Sequence, residues 1–230
     1  MLELFPEGFE EVDRPQGVEL AAYTDAAGEE RLWHFFGGAR SDDVPLDWES
    51  RWRDFHKPVT VGALWVGPPW ETPPTGVKTV VVDPGRAFGT GSHPTTRLCL
   101  GWLQELEPAA LLDVGCGSGV LSIAAALLGF SPVVGVDIEE PSIEATRENA
   151  AANGVEVIAH LIAPTAPLPT TDVAVANISL EAIQALTGRL DATTLVTSGY
   201  LVSDEPDLPG FTHMGRHTHD AWASDLYVRP

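Results

Sequence analysis

With 230 residues and 44% hydrophobic side chains, the chain can hold one large domain, or a domain of roughly 150 residues with a smaller companion. It carries 33 acidic against 13 basic residues, a net charge of −20, spread over the chain rather than confined to a tail. Such a charge opposes phosphate-backbone binding and suits either plain solubility or a basic protein partner, so no direct nucleic-acid contact is expected. The two cysteines, Cys99 and Cys116, make no disulfide scaffold, and there is no secretory h-region or bilayer-length apolar run, so a cytoplasmic setting without membrane partners is expected.

Taken in order, residues 18–23 and 31–36 read as strands of a hairpin in a small α/β region. Residues 46–57, LDWESRWRDFHK, change period: Trp48, Trp52 and Phe55 recur at helical spacing, with Asp47 at the start and Pro58 as the stop. Residues 60–66 read as a strand, and the prolines at 68–69 and 73–74 mark an irregular connection. The organisation expected is therefore a small accessory region at 1–58, a linker at 59–75 and a main domain at 76–230.

The main domain opens on a strand at 77–82, followed by a loop of small residues at 85–91 and a helix from Pro94 toward Leu106. That loop is suited to closing over a cofactor, with Phe88 giving a flat apolar surface and Thr90 a polar contact. His93, alone beside it, reads as a hydrogen-bonding residue at the helix start rather than an obligatory base.

Residues 111–119, LLDVGCGSG, are an apolar strand followed by alternate glycines. A small-residue helix at 120–128 and a second apolar strand ending at Asp137 complete a nucleotide-binding β-α-β unit. Free N–H groups at the helix start face the crevice. Asp137 stands 18 residues after Gly119, where an acid can accept hydrogen bonds from ribose hydroxyls. The glycines alone leave open whether the ligand is a dinucleotide or an adenosyl sulfonium compound.

A helix at 141–152, a strand at 156–161 and an apolar strand at 172–178 follow, the last placing Asn177 at the carboxyl ends of the parallel strands. An Asn amide there can orient an amine through its oxygen. The segment at 162–171 has no acid to meet an adenine amine. A helix at 180–190, a strand at 193–197 ended by Ser198-Gly199-Tyr200, and a terminal antiparallel pair at 211–215 and 222–228 finish the chain. His213, His217 and His219 beside Asp220 match no zinc-ligand spacing, so no metal site is expected.

Segments 48–58 (WESRWRDFHKP), 83–97 (DPGRAFGTGSHPTTR), 111–129, 135–154 and 174–178 (AVANI) together resemble the class I S-adenosylmethionine-dependent methyltransferases of the ribosomal protein L11 methyltransferase (PrmA) family. The second segment is far more specific than the alternate glycines, and it moves the cofactor away from a nicotinamide dinucleotide. The resemblance implies a Rossmann-like α/β fold, a mostly parallel sheet with a terminal antiparallel hairpin, and a small N-terminal α/β region. It implies that Phe88, Gly89, Thr90 and Gly91 lie near S-adenosylmethionine, that Asp113, Gly115 and Gly117 surround its amino-acid portion, that Asp137 binds its ribose, and that Asn177 sits at the boundary of cofactor and substrate, as the catalytic positioning residue. The activity implied is N-methylation of amines on a protein, ribosomal protein L11 in the family. Methylation of another protein or a small molecule, and a non-catalytic S-adenosylmethionine-binding regulator, are the alternatives. The chain departs from the family in a short N-terminal region and in a compact connection before the terminal hairpin.

Overall fold

The computed structural model describes residues 10–14, 17–21, 26–36, 56–83 and 89–230. The chain divides into two compact units, Met1–Ser50 and Arg51–Pro230. In the first, β1 (Glu10–Arg14) and β2 (Gly17–Ala21) form an antiparallel hairpin, followed by α1 (Ala26–Phe36). The strand expected at 31–36 is thus helical. Ala26, Ala27, Glu29, Glu30, Arg31 and Leu32 favour a helix, and once begun it carries through the strand-prone aromatics to Phe36. The aromatic helix expected from residue 46 falls, up to residue 55, outside the described residues.

In the second unit, the single strand expected at 60–66 is two, β3 (Val59–Val61) and β4 (Leu64–Gly67), which pair antiparallel. Gly62, at φ 56°, turns the chain between them. Gln104 locks the turn, accepting from Ala63 N at 2.7 Å and donating to Val61 O at 3.0 Å. β5 (Lys78–Val81) adds a parallel third strand. Leu64, Val66, Val80 and Val82 are buried in one apolar cluster with Leu100, Leu103 and Ile123, so the stretch expected as a linker carries sheet and core of this unit.

The main sheet has seven strands: β6 (Leu111–Val114), β7 (Val133–Asp137), β8 (Ile158–Leu161), β9 (Thr171–Asn177), β10 (Ala192–Leu201), β11 (Thr212–His219) and β12 (Trp222–Val228), in the order β11-β12-β10-β9-β6-β7-β8. The run β10-β9-β6-β7-β8 is parallel, and β12 and β11 are antiparallel additions. The parallel strands are joined or flanked by α2 (Pro94–Glu105), α3 (Val120–Leu128), α4 (Glu140–Ala152) and α5 (Leu180–Leu186). Leu111, Leu112, Ala174 and Val175 are almost wholly buried, as central strands covered on both faces require, and this is why they read as continuous apolar runs. From β6 the chain winds outward through β7 and β8, then returns to β9 on the opposite side of β6. That reversal opens a crevice at the carboxyl ends of β6 and β9.

Three later elements also differ from expectation. β10 does not stop at residue 197: a bulge at Gly199 shifts its register against β12 between Ser198 and Tyr200, and pairing resumes to Leu201. β11 runs on to His219 rather than ending at 215. α5 ends at Leu186, and Arg189 N and Leu190 N turn back to Leu186 O at 2.8 and 2.9 Å. The connection from β10 to β11 contains no helix.

Candidate active site

The glycine turn is built on backbone bonds. Gly115 N and Cys116 N both donate to Val136 O, at 2.8 and 3.1 Å, so the turn after β6 is tied to the end of β7. Gly119 caps α3 at φ 82°, a conformation that favours glycine, and a Cβ there would stand a tight 3.1 Å from the Thr146 backbone on α4. Asp137, at the end of β7, accepts from Gly117 N at 3.0 Å through Oδ2 and from Glu139 N at 3.1 Å through Oδ1. Each oxygen keeps further acceptor capacity.

Asp113 lies behind this turn. It is buried, and its Oδ2 accepts from Ser122 N at 3.1 Å and Ser122 Oγ at 2.7 Å. Burial pushes its carboxyl up to about 6 against those two bonds, with the charge of Asp137 adding to the rise. Cys116 is pushed up to about 12, chiefly by burial, so its thiol is not a nucleophile.

The segment before α2 supplies the opposite wall. His93 is the N-cap residue: its Nδ1 accepts from Thr95 N at 3.3 Å and lies 2.7 Å from Thr95 Oγ1. Burial lowers its pKa, so the ring is neutral, and a ring nitrogen occupied in capping is poorly placed to act as a base. Gly89 O accepts a hydrogen bond from Ser118 Oγ, joining this segment to the glycine turn.

At the end of β9, Asn177 Nδ2 donates to Thr96 Oγ1 at 3.2 Å, a bond that does not use the amide oxygen. Beside it the chain is crowded: a Cβ on Gly199, at φ 108°, would fall 2.0 Å from Ile178 O, so the β10 bulge admits only glycine. Trp222, opening β12, packs edge-on to His93 with ring centroids 4.8 Å apart.

These parts enclose one cavity of about 700 Å³, within the range of small-molecule sites. Of the residues expected from the sequence, Gly89, Gly115, Gly117, Asp137 and Asn177 line it. Thr90, Gly91 and Asp113 do not: Thr90 Oγ1 lies 3.0 Å from Ser92 Oγ, and Asp113 braces α3 from behind. Phe88 lies outside the described residues. Sequence reasoning missed Ile138, Ile162, Pro164, Arg189 and Trp222 in the lining. Ile138 had a signal, since it follows the acid ending β7. The others come from loops or from a distant strand.

The three histidines of β11 separate. Opposed residues of an antiparallel pair share a face, and a bulge between His213 and Gly215 breaks the period of two. His213 therefore meets buried Asp225, Nε2 to Oδ1 at 2.7 Å. His217 stacks on Trp102 at 3.7 Å, and His219 Nε2 lies 3.1 Å from Arg97 Nη1. Among the described residues no group of three or more His, Cys, Asp or Glu side chains is placed to hold a metal.

Strand order, the glycine turn and the acid closing β7 define a class I methyltransferase fold. The crystal structure of ribosomal protein L11 methylase from Lactobacillus delbrueckii subsp. bulgaricus superposes with a TM-score of 0.68 at 29% identity, covering 75% of this chain and 98% of that one. The family model for ribosomal protein L11 methyltransferase (PrmA) matches residues 35–221, and the chain belongs to that family. The ribosomal protein L11 methyltransferase of Pseudomonas putida (strain W619) is 43% identical over 191 residues, 80% of this chain and 63% of the relative. That of Azotobacter vinelandii (strain DJ / ATCC BAA-1303) is 49% identical over 138 residues, 57% of this chain and 47% of the relative. The chain thus spans less than two thirds of the length of these curated relatives. No helix among the described residues is long and apolar enough to cross a membrane.

Proposed function

We propose that this chain is an S-adenosylmethionine-dependent N-methyltransferase acting in the cytoplasm on amine groups of a basic protein, with ribosomal protein L11 as the substrate. The observation that carries the reading is the common cavity of Asp137 and Asn177: a braced carboxylate able to take ribose hydroxyls at the end of β7, and an amide at the end of β9, on the other side of β6. The residues fit the donor. Gly115 and Gly117 allow close backbone approach, and Val114, Val136, Ile138 and Ile162 give an apolar wall for a base. Gly89 closes the near side, and Phe88, Thr90 and Gly91 adjoin it in the sequence. Asp113 acts from behind by holding α3 and the turn in register.

When bound, S-adenosylmethionine supplies a methyl group already activated by its sulfonium sulfur. The protein has to align the acceptor and keep its nitrogen unprotonated. Asn177, held by Thr96, presents its amide oxygen to the incoming amine and so orients the nitrogen lone pair. His93 is occupied in capping α2, so the amine proton leaves to solvent. The net charge of −20 attracts a basic protein without choosing the residue. Residues 1–58 serve as the accessory, substrate-recognition region.

The test is transfer of a labelled methyl group to purified ribosomal protein L11 and to a cell lysate, with the product identified by mass spectrometry. Label on L11 amines supports the whole reading. Label on another protein or a small molecule keeps the chemistry and replaces the acceptor. S-adenosylhomocysteine binding without any transfer would leave a non-catalytic binder.

A further inference from the structure

On the reading that the cavity takes S-adenosylmethionine, Asp137 fixes where the ribose lies, and the sheet then fixes where the adenine must go. The glycine turn stands on the β6 side of Asp137 and receives the amino-acid portion. The base is left the β8 side, walled by Ile138, Ile162 and Pro164. Ile162 follows β8 directly and its N–H donates to Asp137 O at 2.9 Å, so this wall starts from the backbone of the ribose-binding residue.

Beyond Ile162 the segment has no regular structure. It bears prolines at 164, 167 and 169, makes a turn with Ala166 N donating to Ala163 O at 2.9 Å, and re-enters the core at buried Leu168. It offers no carboxylate to an adenine amine, so the recognition left to it is shape and backbone polarity.

What holds that shape comes from the turn after α5. Arg189 aims all three guanidinium nitrogens at this loop: Nε donates to Ala166 O at 2.9 Å, Nη2 to the same oxygen at 2.5 Å, and Nη1 to Pro164 O. A planar fork gripping two carbonyls fixes both position and orientation, which a lysine's single point of attachment does not. Arg189 itself lines the cavity, half-buried, with its charge directed to these carbonyls.

We infer that Arg189 is a positioning residue for the adenine end of the pocket, clamping the loop at Pro164 and Ala166 so that Ile162 and Pro164 form a fixed wall against the base. It acts on donor affinity through that loop and takes no part in methyl transfer.

The test measures Arg189→Met and Arg189→Lys against the unsubstituted chain, by calorimetry with S-adenosylhomocysteine and with 5′-methylthioadenosine, which keeps adenosine and lacks the amino-acid portion. Arg189→Met is expected to raise Kd about tenfold for both ligands, with Arg189→Lys in between. In turnover, KM for the donor rises by a similar factor while kcat falls less than about threefold. Unchanged Kd for both ligands in Arg189→Met overturns the inference, as does a loss confined to S-adenosylhomocysteine, which would place the effect at the amino-acid end. If Arg189→Met fails to fold, Arg189→Lys decides alone: a rise in both Kd values supports the clamp, and unchanged values refute it. Failure of the unsubstituted chain to bind either ligand would instead defeat the methyl-donor reading itself.

Discussion

Asn177 at the end of β9 and Thr96 in the first turn of α2 are joined by a 3.2 Å hydrogen bond from the amide nitrogen to the hydroxyl. The bond sets which way the amide faces, because an amide that gives its nitrogen to a buried hydroxyl turns its oxygen away from it. Asn177→Ala (N177A) is therefore expected to lower kcat about 100-fold, in the range seen for loss of a positioned polar group, and to change Kd for S-adenosylhomocysteine much less. Thr96→Val keeps the buried volume and removes the partner, so a smaller loss of kcat with unchanged donor affinity is expected. Parallel single-turnover and calorimetric measurements separate the two effects. Equal turnover in N177A would refute the positioning role.

Asp137 carries the opposite expectation. Its carboxylate is braced by Gly117 N and Glu139 N before any ligand arrives, so the acceptors proposed for ribose are already oriented. Asp137→Ala removes both the acceptors and the brace, and Kd for S-adenosylhomocysteine is expected to rise at least about 30-fold, which calorimetry reads directly. A change within twofold would mean that the ribose lies elsewhere.

The fold around the cavity and part of its lining were legible because the informative residues are close together in the chain. Leu111–Val114 with the glycines after it, and Val133–Asp137, carry strand, turn and acid in consecutive positions, so local chemistry names the site. Asn177 was legible for the same reason, standing at the end of an apolar strand. Trp222 and Arg189 were not, because nothing local distinguishes an aromatic opening a strand or an arginine after a helix. They join the cavity only through the sheet order and through carbonyls more than twenty residues away. The errors of secondary structure were also physical. Strand-prone Trp33, Phe35 and Phe36 are carried by a helix that better formers start. Gly62 folds one apparent strand into a hairpin, and Gly199 bends β10 without ending it. A glycine signals freedom of the backbone, and tertiary packing decides whether a turn, a bulge or a stop results.

The compact connection before β11 is anchored through Arg216, itself paired to Asp225. Asp225, wholly buried, receives Arg216 at both oxygens at 2.8 Å, Tyr200 Oη at 2.7 Å and His213. Arg216 also donates to Val202 O at 3.2 Å and Asp204 O at 2.8 Å, tying down the start of the connection. Arg216→Met leaves a buried carboxylate without its cation and is expected to cost about 3 kcal/mol of stability at pH 7, measured by urea unfolding. Burial alone would push the Asp225 carboxyl up, but the hydrogen bonds from Arg216, Tyr200 and His213 outweigh it and hold the pKa below the ordinary 3.8. A carboxylate depressed in the folded state contributes stability above its unfolded pKa and loses it as pH falls through the folded one. The stability difference between the unsubstituted chain and Asp225→Asn is therefore expected to hold from neutral pH down to about 4 and to shrink below that. A difference that does not change between pH 7 and pH 3 would contradict this assignment.

The cavity joining the glycine turn, Asp137 and Asn177 is proposed to take a methyl donor. Paired calorimetric titrations of the folded chain with S-adenosylhomocysteine and with a nicotinamide dinucleotide test it most directly. Saturable one-to-one binding of S-adenosylhomocysteine, abolished or greatly weakened in Asp137→Ala and absent for the dinucleotide, is the expected result. Binding of the dinucleotide alone, by a chain shown to be folded, would contradict it.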